Sequence, residues 1–110
     1  PPAAARSETQ DLATFAPRFT GLTNDVLFGD AWRRSDLTRR DRTLVTVVAL
    51  AAMGDDTLLE PYLRLAPKVG LKQGDIVEAL THLAFYAGWP KATKALRQVA
   101  GVTPVAEARP

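Results

Sequence analysis

The sequence predicts an all-α fold, and three observations carry that prediction. Apolar residues recur at three- and four-residue spacings over most of the chain between its two ends. No pair of alternating runs flanks a hairpin turn, as a sheet would require. Gly54, Gly70 and Gly88 cut the chain into lengths that suit helices.

From Pro17 to Arg33, Phe19, Leu22, Val26, Leu27 and Trp32 follow a helical period. Thr23-Asn24-Asp25 is expected to interrupt it, because these side chains compete locally for backbone hydrogen bonds. Ser35-Asp36-Leu37 reads as a connection. Thr38 then offers an N-cap hydroxyl, with Asp41 as the acid of the first turn. The run Leu44 to Met53 is apolar on almost every side. Its β-branched residues alone suggest a strand, but its length, its Ala-rich second half and the cap before it favour a helix. A helix apolar all round must be covered all round, so this one belongs at the centre of the subunit, at a subunit interface, or both.

Gly54-Asp55-Asp56 ends that helix, and another is expected from Thr57 to Val69. Pro61 is read as part of its first turn, where the amide is free in any case, with Pro67 at the fraying end and Gly70 as the C-cap. Gln73 to Ala87 makes the next helix, closed by Gly88. Pro90 stands near the start of a last helix running to about Ala100. Residues 1–14 read as a loose arm and 102–110 as a tail, leaving one helical domain over 15–101.

Composition narrows the function. The 110 residues are 46% hydrophobic, enough for one core. Fourteen Lys and Arg against 12 Asp and Glu leave a formal charge of +2, without the clustered excess that binding nucleic acid demands. The absence of Cys removes disulfides, thiolate-bound zinc, iron–sulfur clusters and thiol peroxidase chemistry within this chain. With a single His as well, no metal site is expected within one subunit. No stretch approaches the roughly 18 apolar residues of a membrane span, so no membrane contact is expected. The start, Pro1 to Arg6, lacks the pattern of a signal peptide, and a cytoplasmic location is the expectation.

Counting 100° per residue, Ile76, Leu80, Leu83, Ala84 and Ala87 share one side of their helix. Glu78, His82 and Tyr86 share the opposite side at four-residue spacing, with Phe85 beside them. A solvated face normally carries Lys, Glu and Gln, so this one reads as a pocket or an oligomer contact. His82 then has two readings. It is a proton donor whose tautomer and orientation Glu78 or Tyr86 can set, or an interface residue without chemistry. The cluster Arg33-Arg34 and Arg39-Arg40-Asp41-Arg42 is likewise either a solvated loop of Arg–Asp pairs or a carboxylate clamp, since the guanidinium fork matches a carboxylate. Glu60 and Tyr62 can face the same space, while Trp32 and Trp89 read first as packing residues.

Three strings carry a family resemblance. Asp25-Val26-Leu27-Phe28-Gly29-Asp30-Ala31-Trp32-Arg33-Arg34, Arg40-Asp41-Arg42-Thr43-Leu44-Val45-Thr46 and His82-Leu83-Ala84-Phe85-Tyr86-Ala87-Gly88-Trp89-Pro90 closely resemble the carboxymuconolactone decarboxylase family, the last most specifically. The resemblance covers roughly Phe15 to Gly101. It implies an alkylhydroperoxidase D-like bundle of about six helices, assembled as a homotrimer or homohexamer. The peroxidase branch of that superfamily uses a Glu, a CxxC pair and a His. The positions that resemble those are Thr43, Asp55, Leu58 and Tyr62 here, so every group of the thiol mechanism is missing.

The decarboxylase branch usually has a His where this chain has Tyr62. The resemblance implies cofactor-free loss of carbon dioxide from a small carboxylated lactone or related acid. On that reading His82, Tyr62 and Glu78 are the catalytic candidates, and Arg40, Arg42, Tyr86 and Trp89 the substrate-binding ones. A phenol gives up its proton far less readily than an imidazolium at neutral pH, which shifts the role of acid to His82. The other reading is a non-catalytic or regulatory oligomer that keeps the fold.

Overall fold

Why the chain turns where it does is clearest at its caps. A computed structural model describes residues 11–102, which fall into two compact units divided between Asp36 and Leu37. The described residues are mostly helical, without a strand. None of their helices is long and apolar enough to cross a membrane. Most of the expected arm and tail lies outside these residues, although residues 11–14 of the stretch read as an arm are helical.

In the first unit, α1 spans Pro17–Leu22 and widens into a π-helical turn over Thr23–Phe28, followed by a 3-10 turn at Ala31–Arg33. The expected interruption at Thr23 is therefore a change of helical pitch. The Thr23 hydroxyl donates to the Phe19 carbonyl at 3.0 Å, and such back-bonding competes with the regular ladder. No residue of these three elements is buried.

The second unit holds α2 (Arg39–Met53), α3 (Asp56–Leu65), α4 (Gln73–Ala87) and α5 (Trp89–Gly101). Thr38 caps α2 as its sequence position predicts, its hydroxyl accepting from the Asp41 amide at 3.0 Å. Cap and length override the β-branched run. Asp55 caps α3, its carboxylate accepting from the Leu58 amide at 3.1 Å. Because that cap sets the start at Asp56, Pro61 falls in the second turn, not the first. It has no N–H to offer the Thr57 carbonyl there, and Thr57 is exposed, so water can serve that carbonyl instead. The α-helical geometry ends at Leu65, and a 3-10 turn over Ala66–Val69 covers the stretch expected to fray. Gly88 separates α4 from α5 at φ 100° and ψ 152°, a conformation that only glycine adopts without strain. Pro90 follows within the first turn of α5.

The core is drawn from all four helices and the turn between α3 and α4. Val47, Leu59, Leu71 and Leu80 are its most deeply buried large side chains, with Leu50, Leu63, Ile76, Leu83, Ala95 and Val99 around them. At about 25 cal/mol per Å² of apolar surface, this cluster dominates the stability of the unit.

The long apolar helix α2 is buried along one stripe. Thr43, Val47, Leu50 and Ala51 form its buried stripe. Val45, Ala49 and Met53, each four residues from the next, form a second stripe that the subunit leaves exposed, Val45 at 60% and Met53 at 66%. Within one subunit, then, α2 is covered on one side only.

Candidate functional site

The uncovered stripe of α2 faces the polar-aromatic stripe of α4 across an open groove of about 850 Å³. Leu44, Val45, Val48 and Ala49 form one wall, and Ala79 and Leu83 contribute to the other. Into this apolar trough project Arg40, Asp75, Glu78, His82 and Tyr86. The helical wheel anticipated the division on α4: Ile76, Leu80, Leu83 and Ala84 are buried, while Glu78, His82, Phe85 and Tyr86 are exposed.

The first turns of the two helices are tied together by a chain of charge-assisted contacts. Arg40 Nη1 donates to Asp41 Oδ1 at 2.8 Å, and Arg40 Nη2 donates to Asp75 Oδ2 at 3.1 Å. Asp75 Oδ2 also accepts from the Lys72 backbone amide at 3.1 Å, so the carboxylate caps α4 and holds Arg40 at once. These contacts have electrostatic consequences. The Lys72 amide, followed by Arg40, holds the Asp75 carboxyl below its ordinary range, against the opposing effect of partial desolvation. Hydrogen bonds to Asp41 and then Asp75 raise the already high value of the Arg40 guanidinium.

His82 lies seven residues along α4 from Asp75, a rise of about 10 Å. Its ring packs against Tyr86, centroids 5.1 Å apart and planes tilted by 54°. The imidazole is exposed to the groove. Among the described residues no ion pair joins it to Glu78, one turn below, and its structural contact is with Tyr86. Just beyond, Phe85 and Trp89 meet edge to face at 5.4 Å, both largely exposed.

The groove thus unites Arg40, Glu78, His82 and Tyr86 and omits the other candidates. Tyr62 packs half-buried against the core from α3 and does not line the groove. Arg42 is half-buried on α2, outside the lining. Trp89 borders a separate shallow depression with Pro90, Thr93, Lys94 and Arg97. Glu60 is engaged by Arg64 at 2.8 Å across one turn of α3. Thr43 and Asp55, at positions resembling peroxidase residues, have structural partners here. Thr43 is fully buried and donates to the Arg39 carbonyl at 2.7 Å, and Asp55 is the α3 cap. Among the described residues, no group of three or more His, Cys, Asp or Glu is arranged to hold a metal ion.

Asp75 escaped the sequence reading. Its spacing before the apolar residues of α4 signals a cap, but its partner Arg40 lies 35 residues away, and no local pattern announces that pairing.

Comparisons with known proteins point the same way as the three strings. The sequence profile of the carboxymuconolactone decarboxylase family matches residues 17–101. The 4-carboxymuconolactone decarboxylase of Acinetobacter baylyi is 31% identical over 87 residues, which make up 79% of this chain and 65% of that protein. The chain therefore spans somewhat less than two thirds of that relative's length.

Proposed function

The chain belongs to the carboxymuconolactone decarboxylase family, and from that premise we propose that the groove between α2 and α4 binds a small carboxylated lactone or related acid and promotes loss of its carboxyl group as carbon dioxide. The observation that carries this reading is the convergence of Arg40, Glu78, His82 and Tyr86, from two helices, in one apolar trough. In such a reaction the C–C bond to the carboxylate breaks, and its electron pair moves through the conjugated system toward the lactone carbonyl. A proton must then return to carbon. His82 is the proton donor, packed by Tyr86, with Glu78 on the same face one turn below. Arg40, held by Asp75 at the first turn of α4, meets the carboxylate end. The apolar walls lower the local dielectric, which strengthens each of these interactions. A test is carbon dioxide release from 4-carboxymuconolactone by the purified protein. The wild type is expected to release it, and His82→Ala to lose at least about a hundredfold in rate. Equal rates in both proteins would remove His82 from the chemistry.

A second reading has its own support. The exposed apolar surface continues from Val45 and Met53 to Phe85, Tyr86 and Trp89, all at least 60% exposed, and the groove is too open to enclose a small acid alone. We infer that copies of this chain associate through this face, as a trimer or hexamer. A purely non-catalytic oligomer would use the face for assembly only. It would show no carbon dioxide release, and His82→Ala would weaken assembly alone.

A further inference from the structure

The first unit carries an apolar stripe and no core of its own to bury it in. No residue of α1, of the π-helical turn or of the 3-10 turn is buried. Phe19, Leu22, Val26 and Leu27 are instead between 43% and 59% exposed, with Phe15 and Phe28 exposed at either end. Phe19, Leu22 and Val26 stand three and four residues apart, the spacing of a two-helix seam. The π turn takes more residues per turn than an α-helix, which brings Leu27 back onto the same face.

Such a stripe calls for an apolar partner, and the charges along its edge select one. Arg18 and Asp25 are both exposed and stand seven residues apart, so they share one edge of the stripe. The rise between them is about 10 Å, too far for a pair within one helix. Among the described residues neither takes part in an ion pair. Turned end for end, the same edge presents the same two charges in the opposite order.

We propose that the stripe of α1 and its π turn pairs antiparallel with the same stripe of a second copy of this chain. Phe19 of each copy lies against Leu22 of the other, and Arg18 of each lies beside Asp25 of the other. The match is made twice, as a twofold contact requires. A parallel pair leaves Arg18 and Asp25 unmatched. Covering the six apolar side chains removes on the order of 500 Å² from each copy, so about 1,000 Å² for the pair, where specific contacts begin. The surface uses no residue of α2 or α4, so it is a second association site whatever the groove binds.

The chain has no Cys, so an introduced thiol meets no native competitor. Phe19→Cys and Leu22→Cys proteins are mixed under reductant, equilibrated and then oxidised, and the products are identified by intact mass. The mixture is expected to give the disulfide-linked heterodimer at several times the yield of covalent dimer from either variant alone. Arg18→Asp in both proteins sets acid against acid and should lower that yield several-fold, and adding Asp25→Arg should restore it. By light scattering, Phe19→Glu should halve the mass of the assembly, because it removes a twofold contact. No heterodimer from the mixture, equal yields from each variant alone, or a charge reversal without rescue overturns the proposal. So does a Phe19→Glu protein that keeps its mass and melts lower, since the stripe is then covered within one subunit.

Discussion

Val45→Asp separates a subunit that stands alone from one that buries its second apolar stripe. Val45 is 60% exposed in the isolated subunit, so if nothing covers it, an aspartate there meets water and changes stability by no more than about 0.5 kcal/mol. Covering the stripe changes the arithmetic. Complete burial of a Val or Met side chain is worth about 1.5–3 kcal/mol. With 60% of Val45 and 66% of Met53 still exposed, an interface gains roughly 1–2 kcal/mol at each. A carboxylate at position 45 forfeits that gain and adds an unpaired charge in an apolar contact, at a further cost of several kcal/mol. The expected outcome is an associated wild type and a variant that dissociates at micromolar concentration, measured by light scattering. Its melting temperature should fall by about 10 °C or more when assembly contributes to stability. A wild type of monomer mass, with Val45→Asp melting at the same temperature, would refute the reasoning.

Three further outcomes follow from other parts of the structure. Leu80→Ala empties a site of 0% exposure at the centre of the core and should cost about 2–5 kcal/mol, read as a lower midpoint in urea unfolding. Asp55→Ala removes the α3 cap and should cost about 1 kcal/mol, read in the same unfolding assay. Asp75→Asn tests acid stability. Because the folded-state carboxyl is held below its ordinary value near 3.8, its stabilising contribution is present above that value and fades as the pH falls through the lowered one. The variant should melt below the wild type at pH 7, and the difference should close at the acid end of a pH series of thermal melts.

What the sequence determined by itself is local. Thr38, Gly54 and Gly88 fix helix ends through interactions spanning a few residues, so the limits of α2 and α4 were legible before any packing was known. The two faces of α4 were legible for the same reason, because a 3.6-residue period places Glu78, His82 and Tyr86 together whatever the helix packs against. Pro61, read in the first turn of α3, is its sixth residue and falls in the second. The tertiary structure decided what depends on juxtaposition across long loops. It left Tyr62 half-buried against the core and outside the lining of the groove that holds His82, although both read as catalytic in the chain. It set Arg40 against Asp75, since the packing of α2 on α4 brings their first turns together. It also showed that α2 covers only one of its two apolar stripes. Periodicity reports which residues share a face, but only the packed chain determines which face is already covered and which polar groups meet across the gap.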